Sequence, residues 1–415
     1  MPSPLITNDA IVFGLLVAVL GIAFYTHSLG GKWHKFYTFV PVILVCYLVP
    51  SLFNTFGIIS SKGSNLWPIA KDYFLPAALV LMTLSIDMKA ILGLGPKALI
   101  MFLTAVVGVV LGGPFAIFIM SLFSPETVGG EGMNAVWRGF ATLAGSWIGG
   151  GANQTAMLEL YGYNPERYSA MVAIDIVVAN LWMIFLLYGA GKPEPLDKWL
   201  KADSSAIERL KNKMANYTAQ TERVSSSMDF MVIMAIAFGA VGVSHAVAAG
   251  MSTLVEQFPA IKDTILGNSF FWIVVTSTTI GLVLSFTRMR QYEGAGASKL
   301  GTVFIFLLVA IIGTKMDIFQ IADAPLLFLV GIIWMLFHVV LLFIVAKMIR
   351  APFFFVAVGS KASIGGAASA PVVAAAFHPA LAPVGVLLAV LGYALGTYGA
   401  ILCASLMQMV SGMAL

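Results

Sequence analysis

Two glycine-rich stretches and one acid hold the residues of this chain that are suited to chemistry. The first stretch, Gly145 to Met157, reads GSWIGGGANQTAM, and the second, Gly359 to Pro371, reads GSKASIGGAASAP. Both lie within hydrophobic sequence, where glycine weakens a helix and serine, asparagine and glutamine bring polar groups that hydrocarbon cannot satisfy. Such backbone survives at membrane depth only where protein covers it or water reaches it. Two such segments in matching places of two halves point to a binding site of the kind transporters build. The acid is Asp175, flanked by apolar residues from Met171 to Ala179. A carboxylate at that depth costs roughly 2.5 to 3.5 kcal/mol on insertion scales, so it faces a cavity, an ion or a partner. Proton or sodium coupling is one reading of Asp175, and an interhelical hydrogen bond from a protonated acid is the other.

In the first stretch Ser146, Asn153, Gln154 and Thr155 supply side-chain oxygens, and Gly149, Gly150 and Gly151 permit unwound backbone whose carbonyls add more. A hard oxygen cage of this kind suits sodium, with Asn153, Thr155 and Asp175 as its expected ligands. The alternative is that the glycines only allow tight helix crossing. The second stretch offers Ser360, Lys361, Ser363 and Ser369 around Gly365 and Gly366. Lys361 has three readings: a counter-charge for Asp175, a partner for a substrate carboxylate, or a side chain that snorkels to the interface. Asn180 is a further polar candidate, or plain interhelical glue. Pro371, Pro379 and Pro383 are expected to break the second stretch, as Pro165 ends the first.

Covalent chemistry finds little support. The five histidines lack ligand spacing, His338 alone lies mid-span and reads as structural, and the HExxH, GxGD and GxSG strings are absent. Neither an enzyme nor a cofactor is expected; a coupling ion, sodium or proton, is. Cys46 and Cys403 sit in apolar runs, which argues against a disulfide framework or a zinc site.

Composition places these residues in a bilayer. The 415 residues are 60% hydrophobic and 10% charged, far below the roughly 25% charged of soluble domains. The net charge of +4 is carried in short loops and one linker, as topology signals and not as a nucleic-acid footprint. Spans are expected at Ile11 to Tyr25, Phe36 to Phe53, Tyr73 to Leu92, Ala98 to Leu122 and Tyr168 to Tyr188. A second set is expected at Met228 to Ala249, Phe270 to Phe286, Leu300 to Ile312, Pro325 to Met348 and Val384 to Met409. The first run lacks Lys or Arg before residue 32 and a small-residue cleavage site, so it is expected to be retained. The fold expected is an all-α polytopic membrane protein with two inverted repeats, 1–191 and 228–415, joined by a linker at 192–227. Each repeat has five spans and one broken or re-entrant glycine-rich element. Ile148-Gly149-Gly150 matches Ile364-Gly365-Gly366, and the runs ending at Asp87 and Asp317 match as well, with both aspartates read as interface residues.

The linker carries seven of the 23 Lys and Arg residues, which puts it in the cytoplasm. Ser205 and Glu208 form a capping-box pattern for a short surface helix there. An N-terminus outside and a linker inside require an odd number of crossings in the first half. Five crossings plus an incomplete sixth element satisfy that, and both termini then lie outside.

On its glycine-rich segments and two-repeat layout, the chain resembles the cation:proton antiporter and anion transporter superfamily, and within it a YjcL-like bacterial family of unknown function. Related glutamate:sodium, 2-hydroxycarboxylate:sodium and bile-acid:sodium symporters place substrate and ion where two broken elements meet. The resemblance implies a core moving against a scaffold, a homodimer, and a bacterial cytoplasmic (inner) membrane location. It also likens Asp175 to the ion-binding acid of the antiporter branch, although Ile174 stands where antiporters commonly carry a second polar residue. The expectation is a secondary active transporter for sodium- or proton-coupled symport of a small organic anion: a carboxylate, amino acid or short peptide. Its partners would be the lipid bilayer and that substrate. Cation:proton antiport is the alternative within transport; a membrane sensor, a scaffold or a channel are the others.

Overall fold

The computed structural model describes residues 4–40, 42–59, 64–203, 207, 210, 224–258, 262, 264–321 and 325–414. The capping-box residues Ser205 and Glu208 lie outside the described residues. The first half contains α1 (Asp9–Ser28), α2 (Gly31–Phe39), α3 (Val42–Thr55), α4 (Leu75–Leu84), α5 (Pro96–Phe123), α6 (Val136–Tyr161) and α7 (Tyr168–Gly191). The second contains α8 (Ser227–Val255), α9 (Ser269–Ser285), α10 (Ala297–Gly313), α11 (Pro325–Met348), α12 (Phe353–Ser363), α13 (Gly366–Phe377) and α14 (Ala382–Ala414). Among the described residues six helices are long and apolar enough to cross a membrane, and a bent pair makes a seventh. The protein is an all-α polytopic membrane protein.

Two expected spans have different bounds. Phe36 to Phe53 is the bent pair, in which Gly31–Tyr37 and Val42–Thr55 meet at 80°. Tyr73 to Leu92 starts earlier, through Leu66–Ile69 and a π-turn at Ala70–Phe74, and it stops at Leu84. The stop has a local cause: the Asp87 carboxylate accepts the Ala90 N–H at 3.0 Å and caps a separate helix, Met88–Leu92, a role for which aspartate is strongly preferred. Asp87 also pairs with Arg290 at 2.5 Å.

The glycine-rich elements fold back on themselves. In a straight helix Arg138 and Tyr161 would be about 34 Å apart at 1.5 Å per residue. Instead the Arg138 guanidinium donates to the Tyr161 carbonyl, and the Trp137 and Tyr161 rings lie 5.5 Å apart. Midway along, a Cβ on Gly145 would sit 2.5 Å from the Asn153 carbonyl oxygen, so the arms are in backbone contact. The reversal is at Gly150, with φ 73° and ψ −169°, a conformation open to glycine and strained for other residues. The second element closes in the same way, with the Phe354 and Phe377 rings 5.3 Å apart and the turn at Gly365 and Gly366, φ 113° and 57°. Proline does not make this break. Pro371 lies inside α13 and Pro379 beyond its end, because the positive φ that reverses the chain is supplied by the two glycines.

Contacts at the bases show where each hairpin enters. At the base of α6, Glu159 pairs with Lys71 at 3.0 Å, the Asn268 amide donates to the Leu160 carbonyl at 3.1 Å, and the Asp317 N–H donates to the Glu166 carbonyl at 3.3 Å. At the base of α12, the Phe353 N–H donates to Asp197 at 2.7 Å, and Lys97 donates to the Arg350 carbonyl at 3.1 Å. Lys97 opens α5, and the loop after its last residue, Phe123, leads into α6. The hairpins therefore enter from opposite ends of α5.

This geometry predicts that both ends of the first hairpin lie on one membrane side. Cysteines introduced as Glu131→Cys and Glu166→Cys should react with an impermeant maleimide from the same side, since Cys46 and Cys403 are buried. Labelling from opposite sides would mean that α6 crosses.

Candidate functional site

Asp175 sits on α7 with both arms of the first hairpin closed on its carboxylate. Ser146 Oγ donates to Oδ2 at 2.6 Å, Trp147 Nε1 to Oδ1 at 2.8 Å, and Gln154 Nε2 to Oδ2 at 3.2 Å. Ser146 and Trp147 precede the break at Gly150 and Gln154 follows it, so a single acid holds the arms together. Three donors on two oxygens offset much of the cost of placing a carboxylate there. Tyr47 on α3 and Tyr168 on α7 lie within electrostatic reach of the acid, with their hydroxyls buried near one another.

Lys361 ends the other side of the site. It is 2% exposed, so it does not snorkel to an interface, and its Nζ donates to the Ala179 carbonyl at 3.1 Å. Ala179 follows Asp175 by one helical turn, and the cation is within electrostatic reach of the carboxylate. A Cβ on Gly365 would lie 2.3 Å from Ser369 Oγ and 3.2 Å from Lys361 Nζ. Hydroxyl and ammonium thus flank the same turn, and Ser369 Oγ is buried without a partner.

The two tips touch. Ser363 Oγ donates to the Trp147 carbonyl at 2.6 Å, and α14 runs past both turns. A Cβ on Gly396 would lie 2.4 Å from the Gly149 Cα. The Tyr393 ring is 3.4 Å from a Cβ built on Gly150, and its hydroxyl 3.6 Å from one built on Gly366. Asn153 belongs to this crossing: its amide donates to the Gly149 carbonyl at 3.0 Å and the Tyr393 carbonyl at 3.3 Å, and its oxygen accepts from Thr397 at 2.6 Å.

Of the residues singled out in the sequence, Ser146, Gly149, Gly150, Gln154, Asp175, Lys361, Ser363, Gly365, Gly366 and Ser369 gather around the two tips. Others are turned elsewhere. Asn153 faces α14 and does not bond Asp175; Thr155 Oγ1 donates to the Gly151 carbonyl at 3.0 Å within its own arm. Gly151 faces Ile305 of α10. Asn180 donates to the Ile176 carbonyl at 2.8 Å on its own helix. Ser360 is structural, accepting from Trp182 Nε1 at 2.8 Å and lying 2.8 Å from His338 Nε2. Sequence reasoning missed Trp147, Tyr47, Tyr168, Tyr393 and Thr397, which look like ordinary span residues until the fold brings them to the tips. The Gly392-x-x-x-Gly396 spacing was the one signal for the α14 crossing.

A family model described as a protein of unknown function (DUF819) matches residues 14–410. The chain belongs to that family. It is 26% identical over 359 residues to the uncharacterized membrane protein YjcL of Bacillus subtilis (strain 168), covering 84% of this chain and 85% of that relative. The resemblance drawn from the glycine-rich segments to a YjcL-like family is thereby borne out, and the description of the relative fits a DUF819 fold built for the bilayer.

The close crossing of Gly149 and Gly396 predicts a large effect for a small change. Gly396→Leu should lower the apparent melting temperature in detergent, as overpacking costs about 1 to 3 kcal/mol. Gly14→Ala, with open space around its Cα, should leave it unchanged. Equal melting temperatures would contradict the crossing.

Proposed function

We propose that the protein is a secondary active transporter that moves a small organic anion, a carboxylate, amino acid or short peptide, coupled to sodium or protons. One observation carries this reading: two hairpins entering from opposite ends of the bundle meet tip to tip beside one half-buried acid and one buried lysine. Broken elements near the midplane are what transporters use to present backbone and side-chain polar groups to a ligand. One glycine-rich hairpin in each half, entering from opposite ends, supports reading the halves as inverted copies. The helices α5 to α7 and α11 to α14 then form a core that moves against α1 to α4 and α8 to α10. Lys361 and the unpartnered Ser369 hydroxyl would receive the anion, and Asp175 would take up the coupling ion. No covalent step and no cofactor are needed, because different affinities of substrate and ion for two states suffice. The inner membrane, with the linker in the cytoplasm and the termini outside, is the corresponding location.

Cation:proton antiport is the second reading, favoured by the opposite charges of Asp175 and Lys361 within reach of each other. The two separate in reconstituted vesicles. Under symport, uptake of a labelled substrate should need an inward sodium or proton gradient, and Asp175→Asn should abolish the gradient dependence. Lys361→Met should raise KM on the order of tenfold, the loss of one modest charge contact of about 1.4 kcal/mol. Sodium efflux driven by a proton gradient without organic substrate would favour antiport, and uptake indifferent to both gradients would remove the coupling.

A further inference from the structure

We propose that the groove between α7 and α11 binds one anionic phospholipid from the leaflet next to the 192–227 linker. The groove has a volume of about 730 Å³ and apolar walls that include Leu181, Phe185, Ile332, Leu336, Val339 and Phe343. None of the residues at the hairpin tips lines it, and it lies on helices apolar enough to face hydrocarbon. From Leu181 to Lys192 it runs about 17 Å along α7 at 1.5 Å per residue, close to half of a hydrocarbon core roughly 30 Å thick. That length suits the acyl chains of one leaflet.

The charged end selects the headgroup. Lys192, the residue that closes α7, lines the groove and is exposed. In the last turn of α11, Lys347 Nζ lies 4.2 Å from the centre of the Trp199 ring, and Trp199 packs edge-on against Phe343 of the groove wall. Lys198, exposed and one residue before Trp199 in the chain, is a third cation on the same short helix. The acids at this end are Glu194, Asp197 and Asp203; Asp197 accepts the Phe353 N–H and Asp203 pairs with Lys97 at 3.4 Å. The balance is therefore positive where a phosphate would sit. A second copy of the chain docked symmetrically across the groove would bring the same lysines to the same membrane level, an arrangement like charges oppose. The groove floor is Trp182, whose indole bonds Ser360 next to Lys361, so an occupant would touch the support of the second hairpin. None of this depends on the transport reading.

The test is native mass spectrometry of the detergent-purified full chain with equimolar phosphatidylglycerol and phosphatidylcholine. One bound phosphatidylglycerol is expected, preferred on the order of fivefold for each lysine engaged. Lys192→Gln, a surface change, should reduce that preference with phosphatidylcholine retention unchanged. Val339→Trp, which fills the groove, should remove the bound lipid at an unaltered melting temperature; if it does not fold, Lys192→Gln carries the test. Equal retention of the two lipids, or an unchanged preference in Lys192→Gln, would overturn the proposal. So would a lipid-free dimer that Val339→Trp dissociates, because the groove would then be covered by a second copy.

Discussion

Unwound backbone in a bilayer has to be covered, and the structure depends on that constraint. At Gly150 and at Gly365–Gly366 the chain leaves helical geometry inside an apolar bundle, and lipid offers nothing to the peptide groups released there. The turns cover one another in part: Gly366 is buried and Gly150 half-buried, while Gly365 is exposed. Ser363 satisfies the Trp147 carbonyl, and α14 closes over both with small residues facing Gly149 and with Tyr393 beside each turn. Bulk is excluded at Gly396 because its backbone crosses Gly149 closely, whereas glycine is needed at Gly150 for the positive φ that reverses the chain. The Asn153 and Thr397 pair then ties the second arm of the first hairpin to α14.

Within that frame, Asp175 is more than a charge in a helix. Its donors come from both sides of the break, so neutralising the acid or giving it an ion would change the forces on both arms together. Lys361 is placed comparably on the second hairpin, through the Ala179 carbonyl on the helix that carries the acid. Under the proposed mechanism α7 is the element on which the two hairpins exchange information. Binding at one tip reaches the other through a single helical turn.

Much of the fold is legible in the residues, because membrane spans announce themselves by length and apolarity. Pro325–Met348 is found where its apolar run begins and ends. The misplaced end at Leu84 shows what hydropathy cannot read, since Ile91 and Leu92 are apolar but Asp87 caps a new helix before them. A broken or re-entrant form of α6 is expected from its glycines and from the odd number of crossings, and the contact between Arg138 and Tyr161 shows which of the two it is. Of the site, the polar and glycine residues stand out in apolar sequence, whereas Tyr393 and Trp147 do not. An aromatic residue is at home anywhere in a span, and only tertiary packing turns it toward a ligand. Asn153 stands out as an oxygen ligand, yet its oxygen accepts from Thr397 and its NH2 group donates to the Gly149 and Tyr393 carbonyls.

The central claim, that a hairpin-bearing core moves against the remaining helices, is tested most directly by a pulsed electron–electron distance measurement across the two bodies. Spin labels at Glu131→Cys, beside the first hairpin, and Gln257→Cys, beyond the end of α8, report on it; both positions are exposed. The account predicts two distance populations whose proportions change with sodium, pH or substrate, separated by at least a helical turn, about 5.4 Å. A single narrow distance, unmoved by any of the three, would contradict it.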